Sequence, residues 1–212
     1  MTYPHVLAFP LQVKLMTDAD FPYPLIGTVH VANRITQHRP LLVTDTLDLS
    51  VHVENRRPHP KGTQFDMIAQ AHTGGTLVWN STSTYLRRGP GSGTPHPRDD
   101  TPLPPTAHWQ VPADTGRRYA QVSGDRNPIH LHPLTARPFG FPRAIAHGMW
   151  TKARCLAALE GKLPPTYEVD VRFQLPLLLP ATPTLHTDGT HFQLRNPRND
   201  KPHLTGTITA LL

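Results

Sequence analysis

Residues 123–133 read SGDRNPIHLHP. They bring a carboxylate (Asp125), a carboxamide (Asn127) and two imidazoles (His130, His132) into a segment broken by Gly124, Pro128 and Pro133. So much turn chemistry excludes a core strand or a regular helix, and Asp125 to His132 is expected to be an irregular loop. Asp125 and His130 together offer a base and an acid to one reacting group. Singly, each has an ordinary reading: Asp125 as a turn residue after glycine, His130 as a hydrogen-bonded loop histidine. A remote element changes the balance. Ala146-His147-Gly148-Met149 opens an apolar helical run. The first N–H groups of a helix lack intrahelical partners and sit at its positive end. Glycine at 148 lets a ligand's carbonyl oxygen approach them closely.

Other chemistries find less support. The 14 histidines are dispersed. His130 and His132 alternate, without the spacing of a helical metal pair or a third ligand in view, so no metal is expected. The single cysteine, Cys155, excludes an intrachain disulfide and a Cys-based zinc site. It lies in an apolar helical stripe, where packing is the expected role, and its solitude fits a reducing, cytoplasmic setting. The formal charge of +6 favours an anionic partner. The basic residues are scattered apart from doublets such as Arg87-Arg88 and Arg117-Arg118, with no aromatic-basic platform, so nucleic acid is not expected. The N-terminus lacks a basic n-region and a small-residue cleavage site, so it does not read as a signal peptide. FQLPLLLPA (173–181) is too short and proline-rich for a membrane span.

The elements that must hold these groups show an internal repeat. PHVLAFPLQVKLMTDA (4–19) aligns with AHGMWTKARCLAALEG (146–161), placing His5 on His147; both predict helices. In the second, Met149, Ala153, Leu156, Ala157 and Leu159 form the expected apolar stripe. Segments 27–54 and 166–189 each read as strand, Pro-containing break, strand. Segments 63–86 and 190–212 each read as a hairpin, with HTGGT (72–76) a strong turn signal. A short helix through Tyr119–Val122 should stop at Ser123-Gly124, and Pro133 should open another turn. The 25 prolines keep helices few and strands short. The expected organisation is a first half at 1–88, a Pro/Gly-rich linker at 89–110 and a second half at 111–212. The expected class is α+β, with each half's antiparallel sheet wrapped around a central helix and the two sheets joined into one.

YAQVSGDRNPIHLHPLTARPFGFPRAIAHGMW (119–150) resembles the motif of MaoC-like dehydratases, the (R)-specific enoyl-thioester hydratases of the hot-dog fold. The pattern is an aromatic residue, Ser-Gly-Asp-x-Asn-Pro-[Ile/Leu]-His and, after a spacer, Ala-His-Gly-Met. Residues 1–88 look like the degenerate first half of double hot-dog members. The resemblance implies reversible hydration of trans-2-enoyl thioesters, with Asp125 and His130 activating one water and the Gly148 N–H holding the thioester oxygen. It does not decide which of the pair is acid and which base. Ser123, Asn127, His147 and Met149 are implied as substrate-binding or loop-positioning residues. The substrate would be an acyl-CoA or acyl-carrier-protein thioester, with no cofactor beyond that coenzyme A, and a homodimer is plausible. His132 departs from the Asp of many members, Cys155 and Leu156 stand near where some offer a serine, and the first half begins abruptly, as if shortened. The alternatives are a hot-dog thioesterase, or a noncatalytic acyl-binding or scaffolding subunit.

Overall fold

The computed structural model describes residues 1–92 and 101–211. Residues 93–100, part of the expected linker, lie outside the described residues. The order is α1 (Tyr3–Met16), β1 (Thr28–Gln37), β2 (Asp48–His59), β3 (Gly62–Thr73), β4 (Thr76–Arg88), β5 (Pro105–His108), α2 (Thr115–Ser123), α3 (Pro128–Leu131), α4 (Pro133–Ala136), α5 (Gly148–Ala158), β6 (Tyr167–Phe173), β7 (Thr184–Thr187), β8 (His191–Arg195) and β9 (Pro202–Ala210). Hydrogen-bonded neighbours run β2-β3-β4-β1-β6-β9-β8-β7-β5, one antiparallel sheet, as the α+β reading expects. Two compact units are present: Met1–Arg98 with Pro164–Asp170 and Thr209–Leu212, and Asp99–Leu163 with Val171–Ile208.

In the first unit, Pro4 suits the first turn of α1. Burial then recurs every fourth residue, at Pro4, Ala8, Gln12 and Met16, the face set against β2 and β3. The helix ends where the Thr17 hydroxyl donates to the Val13 carbonyl at 2.8 Å. Met16 joins Phe65, Met67 and Tyr85 in an apolar cluster extended by Phe21 and Tyr23. Tyr23 stacks on Phe65 with centroids 5.5 Å apart. The turn predicted at HTGGT joins β3 to β4 through Gly74 and Gly75, whose φ of 53° and 79° are the left-handed conformations a two-residue hairpin requires.

In the second unit, β7, β8 and β9 carry the buried residues Leu185, Phe192, Leu194 and Leu204, and α5 packs on β8. Three expectations change here. Pro105–His108, inside the predicted linker, forms β5 against β7; four residues with two exposed ends give too little alternation to read as a strand. Pro128–Leu131, read as irregular loop, is a one-turn helix. The buried face of α5 comprises Met149, Thr151, Lys152, Cys155 and Leu156, with Leu159 just beyond, while Ala157 is exposed. Lys152 is 0% exposed. A lysine on the inner face hid the true stripe from a reading based on apolar residues.

Candidate active site

The site forms within the second unit. Helix α2 stops as expected, with Gly124 as its left-handed cap and its N–H bonded to the Ala120 carbonyl. The buried Ser123 hydroxyl donates to the Tyr119 carbonyl at 2.9 Å and accepts from the Asp125 N–H at 3.2 Å. Asp125 Oδ1 in turn accepts from the Asn127 N–H at 3.1 Å. The Asn127 side chain caps α3 by accepting from the Ile129 N–H, and Pro128 occupies the first turn. Local side-chain to backbone bonds thus dictate a helical turn that places His130. His132 Nδ1 accepts from the Leu134 N–H at 3.2 Å and caps α4, the task an Asp would perform there.

His130 is 8% exposed. Its Nδ1 lies 2.8 Å from the Ile145 carbonyl. A carbonyl only accepts, so Nδ1 carries the proton and Nε2 keeps a bare lone pair. Burial pushes this imidazole below its ordinary pKa, opposed by the nearby Asp125 carboxylate and the Ile145 bond. The Ile145 N–H also donates to the Ile129 carbonyl at 3.0 Å, so segment 145–147 clasps α3 at two points.

His147 is 2% exposed and immediately precedes α5, which has no side-chain cap. The open N–H end of α5 therefore begins at Gly148. His147 Nε2 donates to the Asp125 backbone carbonyl at 3.0 Å. The Asp125 carboxylate is 3.7 Å from the same nitrogen. Burial, then the neighbouring His130, depresses the His147 pKa to about 3, so this contact joins a carboxylate to a neutral ring. The two imidazoles stack with centroids 3.7 Å apart, and Tyr119 lies 4.9 Å from His147.

Asp125, His130 and His147 therefore meet, and Gly148 follows directly. One carboxylate oxygen and one nitrogen from each imidazole lie within 4.8 Å of one another. In the sequence no third ligand stands beside His130; in the fold His147, 17 positions further along, brings a third donor to the cluster. One nitrogen of each ring is engaged by a backbone carbonyl, leaving His130 Nε2 and His147 Nδ1. Met149 is buried in the first turn of α5. Asn127 and Ser123 act on the loop.

Glycine 148 has a packing reason as well. A Cβ there would lie 3.0 Å from the Phe173 ring. Sequence reading missed Gly116 altogether: a Cβ there would come 2.0 Å from the His130 carbonyl oxygen. Helix α2 rests directly on the backbone of the His130 turn, and its one signal was a glycine near a helix start, where no cap is needed.

The antiparallel sheet with a helix beside this constellation is the hot-dog class. The MaoC like domain matches residues 95–209. The 3-hydroxyacyl-thioester dehydratase X of Mycobacterium tuberculosis is 40% identical over 220 residues, covering 100% of this chain and 79% of that protein. The crystal structure of HtdX from Mycobacterium tuberculosis matches with a TM-score of 0.87 at 40% identity, over 99% of this chain and 86% of that one. A MaoC-like dehydratase from Phytophthora capsici shares the fold, with a TM-score of 0.78 at 21% identity over 99% of this chain and 81% of its own. The chain belongs to the MaoC-like dehydratase family.

Proposed function

We propose that this chain is a hydro-lyase that interconverts (R)-3-hydroxyacyl and trans-2-enoyl thioesters, with His130 as the proton-transferring group and Asp125 as its partner on the water. The observation that carries this reading is the tautomer of His130: Nδ1–H is committed to the Ile145 carbonyl, which leaves Nε2 bare, and one nitrogen of the ring lies within 4.8 Å of an Asp125 carboxylate oxygen. In the dehydration direction, His130 Nε2 takes a proton from C2 and charge develops on the thioester oxygen. The uncapped N–H end of α5 at Gly148 holds that oxygen. The C3–O bond then breaks, and the proton on Nε2 passes to the departing hydroxyl, which leaves as water held by Asp125. Hydration is the reverse, so the C2 proton and the C3 hydroxyl together account for the one water lost or gained in each turnover. Family membership and the name of the Mycobacterium tuberculosis relative support the thioester class.

The substrate carrier is coenzyme A or an acyl carrier protein, to which the net charge of +6 is complementary, and no further cofactor takes part. Among the described residues, no helix is long and apolar enough to cross a membrane, and we place the activity in the cytoplasm. The test is loss of enoyl absorbance when the protein meets crotonyl-CoA, with chiral analysis of the product. Formation of (R)-3-hydroxybutyryl-CoA without release of free coenzyme A is expected. Release of free thiol instead would point to a thioesterase.

A further inference from the structure

His147 lies 17 residues beyond His130 and is assigned no step above. Four contacts converge on it. Nε2 donates to the Asp125 carbonyl at 3.0 Å. One ring face covers His130, with planes 25° from parallel. Tyr119 tilts against it at 57°. Its own backbone leads into Gly148. Its other nitrogen, Nδ1, is buried without a hydrogen-bond partner. A buried polar atom left unpaired costs stability, so the ring's place needs a reason beyond packing.

We propose that His147 is a positioning residue for the reaction described above: its Nε2–H fixes the backbone of Asp125, its ring face seals His130 from water, and the two together set the spacing of the acid–base pair against the Gly148 N–H. This rests on the proposed dehydratase reading. The titratable groups facing the stacked rings are Asp125 and Tyr119; Tyr119 is pushed well above the usual phenol range by burial and stays neutral. His147 is likewise neutral across the working range, so it acts through geometry and exclusion of water and not through charge.

Two substitutions separate the contacts. His147→Gln keeps an N–H near Nε2 but removes the ring. His147→Phe keeps the ring but removes the donor. In His147→Gln, water reaching His130 should move the acid limb of the kcat/KM profile to higher pH. In His147→Phe the acid limb should stay, while kcat falls roughly 10–100-fold as Asp125 loses its anchor, with KM within about twofold. Wild-type kcat and an unmoved acid limb in both folded variants would overturn the proposal, as would a change in KM alone. Should either variant fail to fold, long-range ¹H–¹⁵N spectra of the unaltered protein decide. Protonation of His147 at Nε2 and His130 at Nδ1 at neutral pH is expected; the opposite tautomers overturn the proposal. These spectra require no turnover. A protein inert on every enoyl thioester but with the expected tautomers would sink the dehydratase reading and leave the clamp standing.

Discussion

The imidazoles of His130 and His147 lie face to face, 3.7 Å between centroids, yet each is tied to a different backbone carbonyl. His130 binds Ile145, and His147 binds Asp125. Each ring is therefore locked in one tautomer by a different stretch of chain, and the two tautomers are opposite.

The first consequence is a pH profile. Catalysis by His130 needs a bare Nε2, and burial holds its pKa below the ordinary 6.5. The acid limb of the rate should therefore be centred below 6.5. An acid limb centred above 6.5, measured as kcat/KM on an enoyl thioester, would contradict the burial assigned to this ring.

Stability should follow acid in a related way. His147 has a folded pKa of about 3 against an ordinary 6.5. As pH falls through 6.5 the unfolded chain takes up a proton and the folded one does not. Stability is thus fully present above 6.5 and is lost progressively toward 3. His130 and His203, also lowered by burial, add in the same direction. Urea midpoints should drop between pH 7.5 and pH 5, and drop less in His147→Phe; identical slopes in the two proteins would remove His147 from this account.

Much of this arrangement was legible in the sequence. Asp125, Asn127 and His130 announced themselves by type and spacing, and the paired helix and hairpin signals placed α1, α5 and the β3–β4 turn. What stayed hidden depends on tertiary contact. The Ile145 carbonyl is as anonymous in sequence as any other, yet it sets the His130 tautomer. Lys152 reads as polar, and only the packed helix reveals it on the inner face. β5 is too short to declare itself before β7 is beside it. His147 was recognisable as a helix entry, but its stacking on His130 follows from the clasp of segment 145–147 on α3.

Gly116→Ala tests the contact beneath His130. The added methyl would stand 2.0 Å from a backbone oxygen, which cannot rotate away. Overpacking of this kind costs about 1–3 kcal/mol. Denaturant unfolding should show that loss, and the folded fraction should turn over more slowly at unchanged KM. An alanine variant with wild-type stability and kcat would mean that α2 does not buttress the His130 turn.

The first unit offers a contrast in ion pairs. Asp66 is buried and accepts from Arg57 at 2.8 and 3.0 Å and from Thr84 at 2.7 Å. Arg34 and Asp170 form an exposed pair at 2.9 Å. Arg57→Met strands a buried carboxylate and should cost about 1–3 kcal/mol, whereas Arg34→Met should cost less than about 1 kcal/mol. Equal losses in urea titrations would argue that Asp66 is hydrated.

Cys155 is fully buried and its thiol is pushed far above the usual range by burial. It should resist a thiol reagent in the native protein and react once denaturant is added. Rapid native labelling with loss of activity would place Cys155 within reach of the site.

The most direct measurement is hydration of crotonyl-CoA by the unaltered protein, His130→Ala and Asp125→Asn, each shown folded by circular dichroism. The account predicts turnover by the unaltered protein and a loss of roughly 10²–10⁴-fold in kcat for each variant, the usual worth of a positioned acid–base group. Full activity in a folded His130→Ala variant would contradict it.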